Sequence, residues 1–298
     1  MDFRLKVFYT VATRLSFTKA ASELFITQPA ISKHIQELEE EYKIKLFERN
    51  GSKIALTNAG EMLLKHTKNI FEIYREIDFD MSTFINERKG LLRLGASTTI
   101  SQYIIPPLLA RFHEKLESVR VNLLNGNTEQ IENALLNKEI EIGIVEGQSK
   151  NQSIKYTQFI RDELVLVCNS NNPLVRKKEI APADLKSLRF LVREQGSGTL
   201  EVIEYALKPF HVKIDNLQIE MQLGSTESIK SYLMNSNCVA FMSIHAIGKE
   251  LKNKELQIID VDNLIIERYF YIITLQGKTD SLSELFIKNI SSYYNLKL

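Results

Sequence analysis

Two groups of polar residues in this 298-residue chain have the types and spacing to grip another molecule. The first is Gln28, Ser32, Lys33 and Gln36, spaced so that one helix would present them together near its N-terminus. Amide, hydroxyl and ammonium groups so arranged can hydrogen-bond base edges or phosphates. Arg49 and Lys53 flank Asn50-Gly51 and put two cations at a sharp turn, where they can reach phosphates or the minor groove. The second group is Ser97-Thr98-Thr99, Thr128, Ser197-Gly-Thr199 and Thr226, each at the expected start of a helix that follows a strand. Hydroxyls and free N–H groups at helix N-termini favour an anion, and in open α/β sheets such ends line a ligand crevice. Plain helix capping is the ordinary role of any one of them. Four such loops in one chain favour a shared anion site, built from hydrogen-bond donors because no cationic clamp is evident.

Catalysis has no comparable support. His34, His66, His113, His211 and His245 lack a Cys or His partner at metal-binding spacing, and no nucleophile elbow is present. Ser197-Gly-Thr199 has no following lysine, so it is not a phosphate loop of the Walker type. No catalytic residue, metal ligand or cofactor is expected. Cys168 and Cys238 lie inside apolar β runs, where both should be buried and inert; two cysteines suit a reducing cytoplasm. The net charge is +1, and residues 1–57 carry nine cations against seven anions, so charge totals alone do not announce a nucleic-acid binder. No basic start leads into an apolar run, and no apolar run approaches the roughly 18 residues of a membrane span, so a cytoplasmic, membrane-free protein is expected.

The first group of residues needs helices to position it. Leu5, Phe8, Ala12 and Leu15 have the spacing of a first helix. Thr18 can cap a short second helix running to Leu24, and Thr27 a third, with Pro29 where a first-turn proline is tolerated. Ile31, Ile35 and Leu38 then recur on one stripe, leaving the polar group on the opposite edge. This describes a helix-turn-helix with a recognition helix, or an ordinary helical hairpin with a solvated face. Asn50-Gly51 between two short runs signals a β-hairpin, which behind a helix-turn-helix is a wing. Thr57 should cap a long helix through about Arg88 whose Leu63, Ile70, Ile77 and Phe84 repeat every seven residues, with Thr67, Tyr74 and Met81 at the second seam position. Such a repeat needs a partner helix and argues for a dimer; packing on the chain's own C-terminal part is the alternative.

Glu87-Arg-Lys-Gly90 reads as a hinge. Beyond it strands and helices alternate: strands at 91–95, 119–125, 140–145, 163–168, 189–192, 219–222, 238–242 and 268–274, and helices at 100–116, 129–138, from 200, 227–234 and from 281. This pattern means a mainly parallel sheet covered by helices, as one large sheet or two small lobes.

Ser16-Phe-Thr-Lys-Ala-Ala, Thr27-Gln-Pro-Ala-Ile-Ser-Lys, Leu38-Glu39, Leu46-Phe-Glu-Arg49 and Leu56-Thr-Asn-Ala-Gly60 resemble, in order and spacing, the N-terminal domain of LysR-type transcriptional regulators. Arg193-Glu-Gln-Gly-Ser-Gly-Thr199 resembles a subgroup linked to sulfur assimilation and carbon fixation. The resemblance implies an N-terminal all-α winged helix-turn-helix plus long linker helix. It also implies a C-terminal α/β two-lobed, periplasmic-binding-protein-like domain, the chain crossing between lobes near Asp162 and Arg268. The expected domains are 1–57 for DNA, 58–89 for dimerisation and 90–298 for the effector, with lobe I at 90–162 and 269–298 and lobe II at 163–268. Double-stranded promoter DNA, a second copy as dimer or tetramer, and a small anionic metabolite are the implied partners, with RNA polymerase a further candidate. Thr18, Thr27, Gln28, Pro29, Ser32, Lys33, Arg49 and Lys53 are the expected DNA contacts; Leu63, Ile70, Tyr74, Ile77 and Phe84 the dimer seam. Ser97, Thr98, Thr99, Thr128, Ser197, Thr199 and Thr226 are the expected effector contacts. The alternatives are a ligand-independent repressor and a cysteine-based redox-sensing regulator.

Overall fold

The computed structural model describes residues 2–50, 53–84, 89–148, 150–177, 179–277 and 279–294. The chain forms two compact units, Met1–Asn86 and Glu87–Leu298.

The first unit holds α1 (Phe3–Arg14), α2 (Phe17–Leu24), α3 (Gln28–Tyr42), β1 (Phe47–Asn50), β2 (Lys53–Leu56) and α4 (Asn58–Phe84). Its core takes Val7, Phe8 and Val11 from α1, Ala20 from α2, Ile31, Ile35 and Leu38 from α3, and Leu46. The stripe expected on α3 is therefore buried. That on α1 is shifted: Val7 and Val11 join Phe8 and Ala12, while Leu15, left-handed at φ 45°, ends the helix and is exposed. The cap of α2 is Ser16, whose hydroxyl accepts from Lys19 N, and not Thr18, which sits inside the first turn. Thr27 caps α3 as expected, accepting from Ala30 N. β1 runs through Asn50, which pairs with Lys53; Gly51 of the turn expected at Asn50-Gly51 lies outside the described residues.

Thr57 caps α4, its hydroxyl accepting from Gly60 N at 3.0 Å. Gly60 is required there, because a Cβ would lie 2.1 Å from the Leu46 carbonyl oxygen. Leu63 packs on the core and Thr67 is buried, so the first two turns of the expected seam face inward. Ile70, Tyr74, Ile77, Met81 and Phe84 are exposed, with Ile73 beside them. The expected end of the helix near Arg88 and the hinge residues Glu87-Arg88 lie outside the described residues.

The second unit runs β3 (Gly90–Ser97), α5 (Thr98–Tyr103), α6 (Ile105–Lys115), β4 (Val119–Gly126), α7 (Thr128–Leu136), β5 (Ile142–Val145), β6 (Ile154–Asn169), β7 (Glu179–Ile180), β8 (Arg189–Arg193), α8 (Gly198–Leu207), β9 (Gln218–Leu223), α9 (Thr226–Met234), β10 (Val239–Ser243), α10 (Ile244–Lys252), β11 (Leu256–Val261), β12 (Ile266–Leu275) and α11 (Ser281–Tyr293). The helix expected over 100–116 is two helices, broken at Ile104. Pro106 and Pro107 follow the break, since proline removes a backbone donor and crowds the preceding turn.

Strand order is β4-β3-β5-β12-β6-β10-β8-β9, with β11 beside β6 and β7. The outer pairs are parallel, β3 with β4 and β5, β8 with β9 and β10. The middle is antiparallel, because β6 carries the chain out of the first lobe and β12 brings it back. At 16 residues β6 is far longer than the six expected. In the register of these two strands Arg268 lies opposite Asp162, where a crossing was expected. The second lobe buries its sheet on both faces: Leu164, Leu166, Phe190, Leu200 and Ile203 form one cluster, and Val167, Leu191, Ile229, Leu233 and Ile247 another. In the first lobe Ile131, Leu135, Ile140, Val145 and Ile273 pack together.

Candidate nucleic-acid interface and ligand cleft

On the first unit the polar edge of α3 is open. Gln28 and Pro29 are exposed and Ser32 half-buried, and Gln28 Nε2 donates to Ser32 Oγ at 3.1 Å. The Lys33 side chain is 77% exposed, its ammonium 4.0 Å from the Glu37 carboxylate, a pairing too loose and too hydrated to hold it. Gln36 donates to Glu40 at 2.7 Å. Thr27 is exposed at the start of this surface, and Thr18 is exposed on α2. Phe25, left-handed at φ 56° in the turn between α2 and α3, is 95% exposed. The side chains of Arg49 and Lys53 lie outside the described residues.

In the second unit the seven expected hydroxyl residues are all buried. Ser97, Ser197 and Ser225 stand at N-caps but make no side-chain cap bond, so capping does not account for the first two. The α7 start differs: Asn127 caps it and forms a reciprocal box with Gln130. Hydroxyls from the two lobes meet. Thr99 Oγ1 and Thr226 Oγ1 are 3.2 Å apart, and Thr199 Oγ1 donates to Glu146 Oε1 at 3.0 Å. The other Glu146 oxygen accepts from Ser97 Oγ, and its carbonyl accepts from Thr128 Oγ1 at 2.7 Å. Backbone closes the same seam: Glu129 N donates to the Gly196 carbonyl at 3.2 Å, and Gln148 N to Glu201 Oε2 at 3.0 Å.

The expectation of a cleft without a cationic clamp is wrong. Two buried arginines stand in it. Arg193, at the end of β8, donates to Thr98 Oγ1 at 3.1 Å and to Thr226 Oγ1 at 3.4 Å, bridging the lobes. Arg268, on β12, donates to Asp162 Oδ2 at 2.7 Å and to Thr199 Oγ1 at 2.8 Å, with Glu146 Oε1 3.6 Å away. Each guanidinium has a carboxylate of its own, since Glu194 takes both Nε and Nη2 of Arg193 at 2.8 Å. Burial pushes the Glu194 carboxyl up, but the Arg193 hydrogen bond and charge outweigh it and hold the group below its ordinary range. Ser243 Oγ donates to the remaining Asp162 oxygen at 2.7 Å. Ser197 Oγ and Arg268 Nη2 are buried with no hydrogen-bond partner among the described residues.

Glu146, Arg193 and the polar character of Asp162 and Arg268 escaped the sequence reading because their partners lie far along the chain. The available signal was composition. Asp162 lies between Arg161 and Glu163, and Arg268 follows Glu267, so composition gives only a cluster of charges on each strand and does not mark which of them is buried and needs a partner.

Cys168 and Cys238 are buried in separate core clusters, and burial pushes the Cys168 thiol up to about 11. A buried thiol that resists ionisation is a poor redox sensor. No group of His, Cys, Asp and Glu suited to a metal ion occurs among the described residues, and none of their helices is long and apolar enough to cross a membrane.

Comparison with known proteins matches both units to family models. Residues 3–61 match the bacterial regulatory helix-turn-helix protein of the lysR family, and residues 86–293 the LysR substrate binding domain. The chain is 28% identical to the HTH-type transcriptional regulator CysL of Bacillus subtilis strain 168, over 99% of this chain and 98% of that one. It is 31% identical to a probable RuBisCO transcriptional regulator of Cyanophora paradoxa, over 99% of this chain and 92% of the relative. The solved regulatory domain of CcmR from Synechocystis PCC6803, in complex with 2-PG, superposes with a TM-score of 0.62 at 29% identity. That match covers 68% of this chain and 96% of the CcmR domain.

Proposed function

The chain belongs to the LysR family of transcriptional regulators, and from that premise we propose that a small metabolite bearing an anionic group controls its promoter binding from the cleft between the two α/β lobes. The observation that carries this reading is the meeting of seven buried hydroxyl residues and two buried arginines from both lobes at one place. CcmR, similar in this domain, is solved with 2-PG. A hydrogen bond to a charged group contributes about 1.5–3 kcal/mol, so two or three suffice for micromolar binding after association costs.

The DNA contacts in this reading are Thr18, Thr27, Gln28, Pro29, Ser32, Lys33, Arg49 and Lys53. The exposed residues Ile70, Tyr74, Ile77 and Phe84 of α4 pair two copies, which sets two reading heads on two half-sites. The working boundaries are 1–57 for DNA binding, 58–89 for dimerisation, and 90–298 for the effector, with lobe I at 90–162 and 269–298 and lobe II at 163–268. The chain acts in the cytoplasm and catalyses nothing.

Thr99→Val tests the cleft. It keeps the shape but removes a hydroxyl that faces the other lobe. In a thermal-shift screen against metabolite anions, effectors raise the wild-type midpoint by mass action, and Thr99→Val reduces that rise while basal operator binding stays near wild type. Equal shifts in both proteins place the effector elsewhere.

A further inference from the structure

We propose that the effector carries an ammonium group beside its anionic group, and that Glu146 is the residue that receives the ammonium. The inference rests on the effector-cleft reading above and narrows its ligand class.

Glu146 is only 2% exposed and joins the lobes through Ser97 on one side and Thr199 on the other. A carboxylate offers about four acceptor positions, and these two hydroxyls use two. The Arg268 Nη1 atom at 3.6 Å is beyond hydrogen-bond reach. Glu146 therefore keeps acceptor capacity inside the cleft.

Charge points the same way. Arg268 is matched by Asp162, and Arg193 by Glu194. Glu146 is the carboxylate left over, so these five groups sum to −1. Glu129, which faces Gly196 across the seam, and Glu201, which faces Gly147 and Gln148 across it, add further negative charge. A ligand with only negative charges would deepen that excess where water is excluded, and an unmatched buried charge is costly. An ammonium against Glu146 gives that carboxylate a partner, so a zwitterion adds no net charge to the site, where an amino-free anion adds at least one negative charge.

The anionic end has its own donors. Ser197 Oγ and Arg268 Nη2 are buried and unpartnered among the described residues, and both stand next to Thr199: Arg268 donates to it and Ser197 precedes it by two residues. A carboxylate or phosphate accepts from both while the ammonium, a few bonds away, reaches Glu146. The ligand class is a small zwitterion of amino-acid or amino-phosphate type.

The test is calorimetry on the full chain with two size-matched pairs, serine against glycerate and phosphoethanolamine against 2-hydroxyethyl phosphate. Wild type binds the amino member of a pair about tenfold or more tightly than its amino-free partner. Glu146→Gln removes that preference. Glu146→Asp keeps the charge and retains it, which separates charge from packing if Glu146→Gln loosens the fold. Preference for the amino-free members in wild type, or equal loss of preference in Glu146→Asp and Glu146→Gln, overturns the inference and leaves the effector cleft standing. Screening hits made up only of amino-free anions overturn it likewise. A chain that binds none of the four compounds and gives no hit in the wider screen overturns both.

Discussion

Gly198→Ala is the sharpest perturbation of the cleft. Gly198 is the first residue of α8, and a Cβ built on it lies 2.0 Å from the Glu146 carbonyl oxygen and 2.6 Å from Thr128 Oγ1. Ordinary van der Waals contact begins near 3.4 Å, so the two lobes must separate by about 1.4 Å at this point. Backbone meets backbone here, and no rotamer change relieves it. A separation of that size stretches Thr199 Oγ1–Glu146 Oε1 (3.0 Å), Gln148 N–Glu201 Oε2 (3.0 Å) and Glu129 N–Gly196 O (3.2 Å) beyond hydrogen-bond range. At about 0.5–1.5 kcal/mol net for each bond, the closed arrangement loses about 2–4 kcal/mol. The helix itself gains, because alanine is a better helix former than glycine by up to about 1 kcal/mol, so a loss cannot be blamed on α8. Effector affinity should fall by about 30-fold or more. Hydrogen exchange reads the same event with no effector present: the Glu129 and Gln148 amides donate across the seam, and both should lose protection while core amides of β6 and β8 keep theirs. Wild-type protection at those two amides, or effector affinity within about threefold of wild type, would refute the packing argument.

Other expectations are simpler to check. Lys33→Ala should weaken specific operator binding by about 1–3 kcal/mol with little effect on the melting temperature; equal loss on random DNA, by electrophoretic mobility, would demote Lys33 to a phosphate contact. Ile70→Lys with Ile77→Lys puts two charges in the exposed stripe of α4 and should lower the mass seen by light scattering. An unchanged mass would move the dimer interface off α4. Tyr103→Phe removes a bond from α5 in the first lobe to Glu227 in the second, leaving Lys230 held by Glu227 and Glu250. Glu227 is half exposed, so the cost should stay below about 1 kcal/mol, and a larger drop in chemical-denaturation midpoint would mark this contact as a principal latch.

The sequence was most informative where structure is local. The caps at Thr27 and Thr57, the Ile31/Ile35/Leu38 stripe and the glycine and hydroxyl residues at the strand ends can be read within a few residues. Its failures have the same origin. The first half of β6, Ile154–Asp162, mixes polar and apolar side chains without the strict alternation of a half-buried strand or the unbroken apolar run of its second half. The break at Ile104 was overlooked because the Ile104/Leu108/Phe112 stripe, all buried, continues through it. The hydroxyls of the cleft were found because each announces a helix start. The arginines that hold them were not, since Arg193 meets Thr98 across 95 residues and Arg268 meets Asp162 across 106.

The seam also constrains how an effector can act. A ligand shifts a conformational equilibrium only by its difference in affinity for the two states. Here the lobes are joined by groups of the chain itself: Arg193 to Thr98, Thr226 to Thr99, Thr199 to Glu146. An effector seated among them must replace some of these bonds, so its effect on closure is the balance between bonds made and bonds lost. Arg268 holds Thr199 of the second lobe and Asp162 on the crossing strand with one guanidinium. Two residues along β12, between Phe270 and Tyr271, the register with β6 slips. A bulge interrupts the ladder and bends a strand more easily than regular pairing does. In the proposed reading, an effector that bonds to Arg268 would act two residues from this irregularity in the crossing strands.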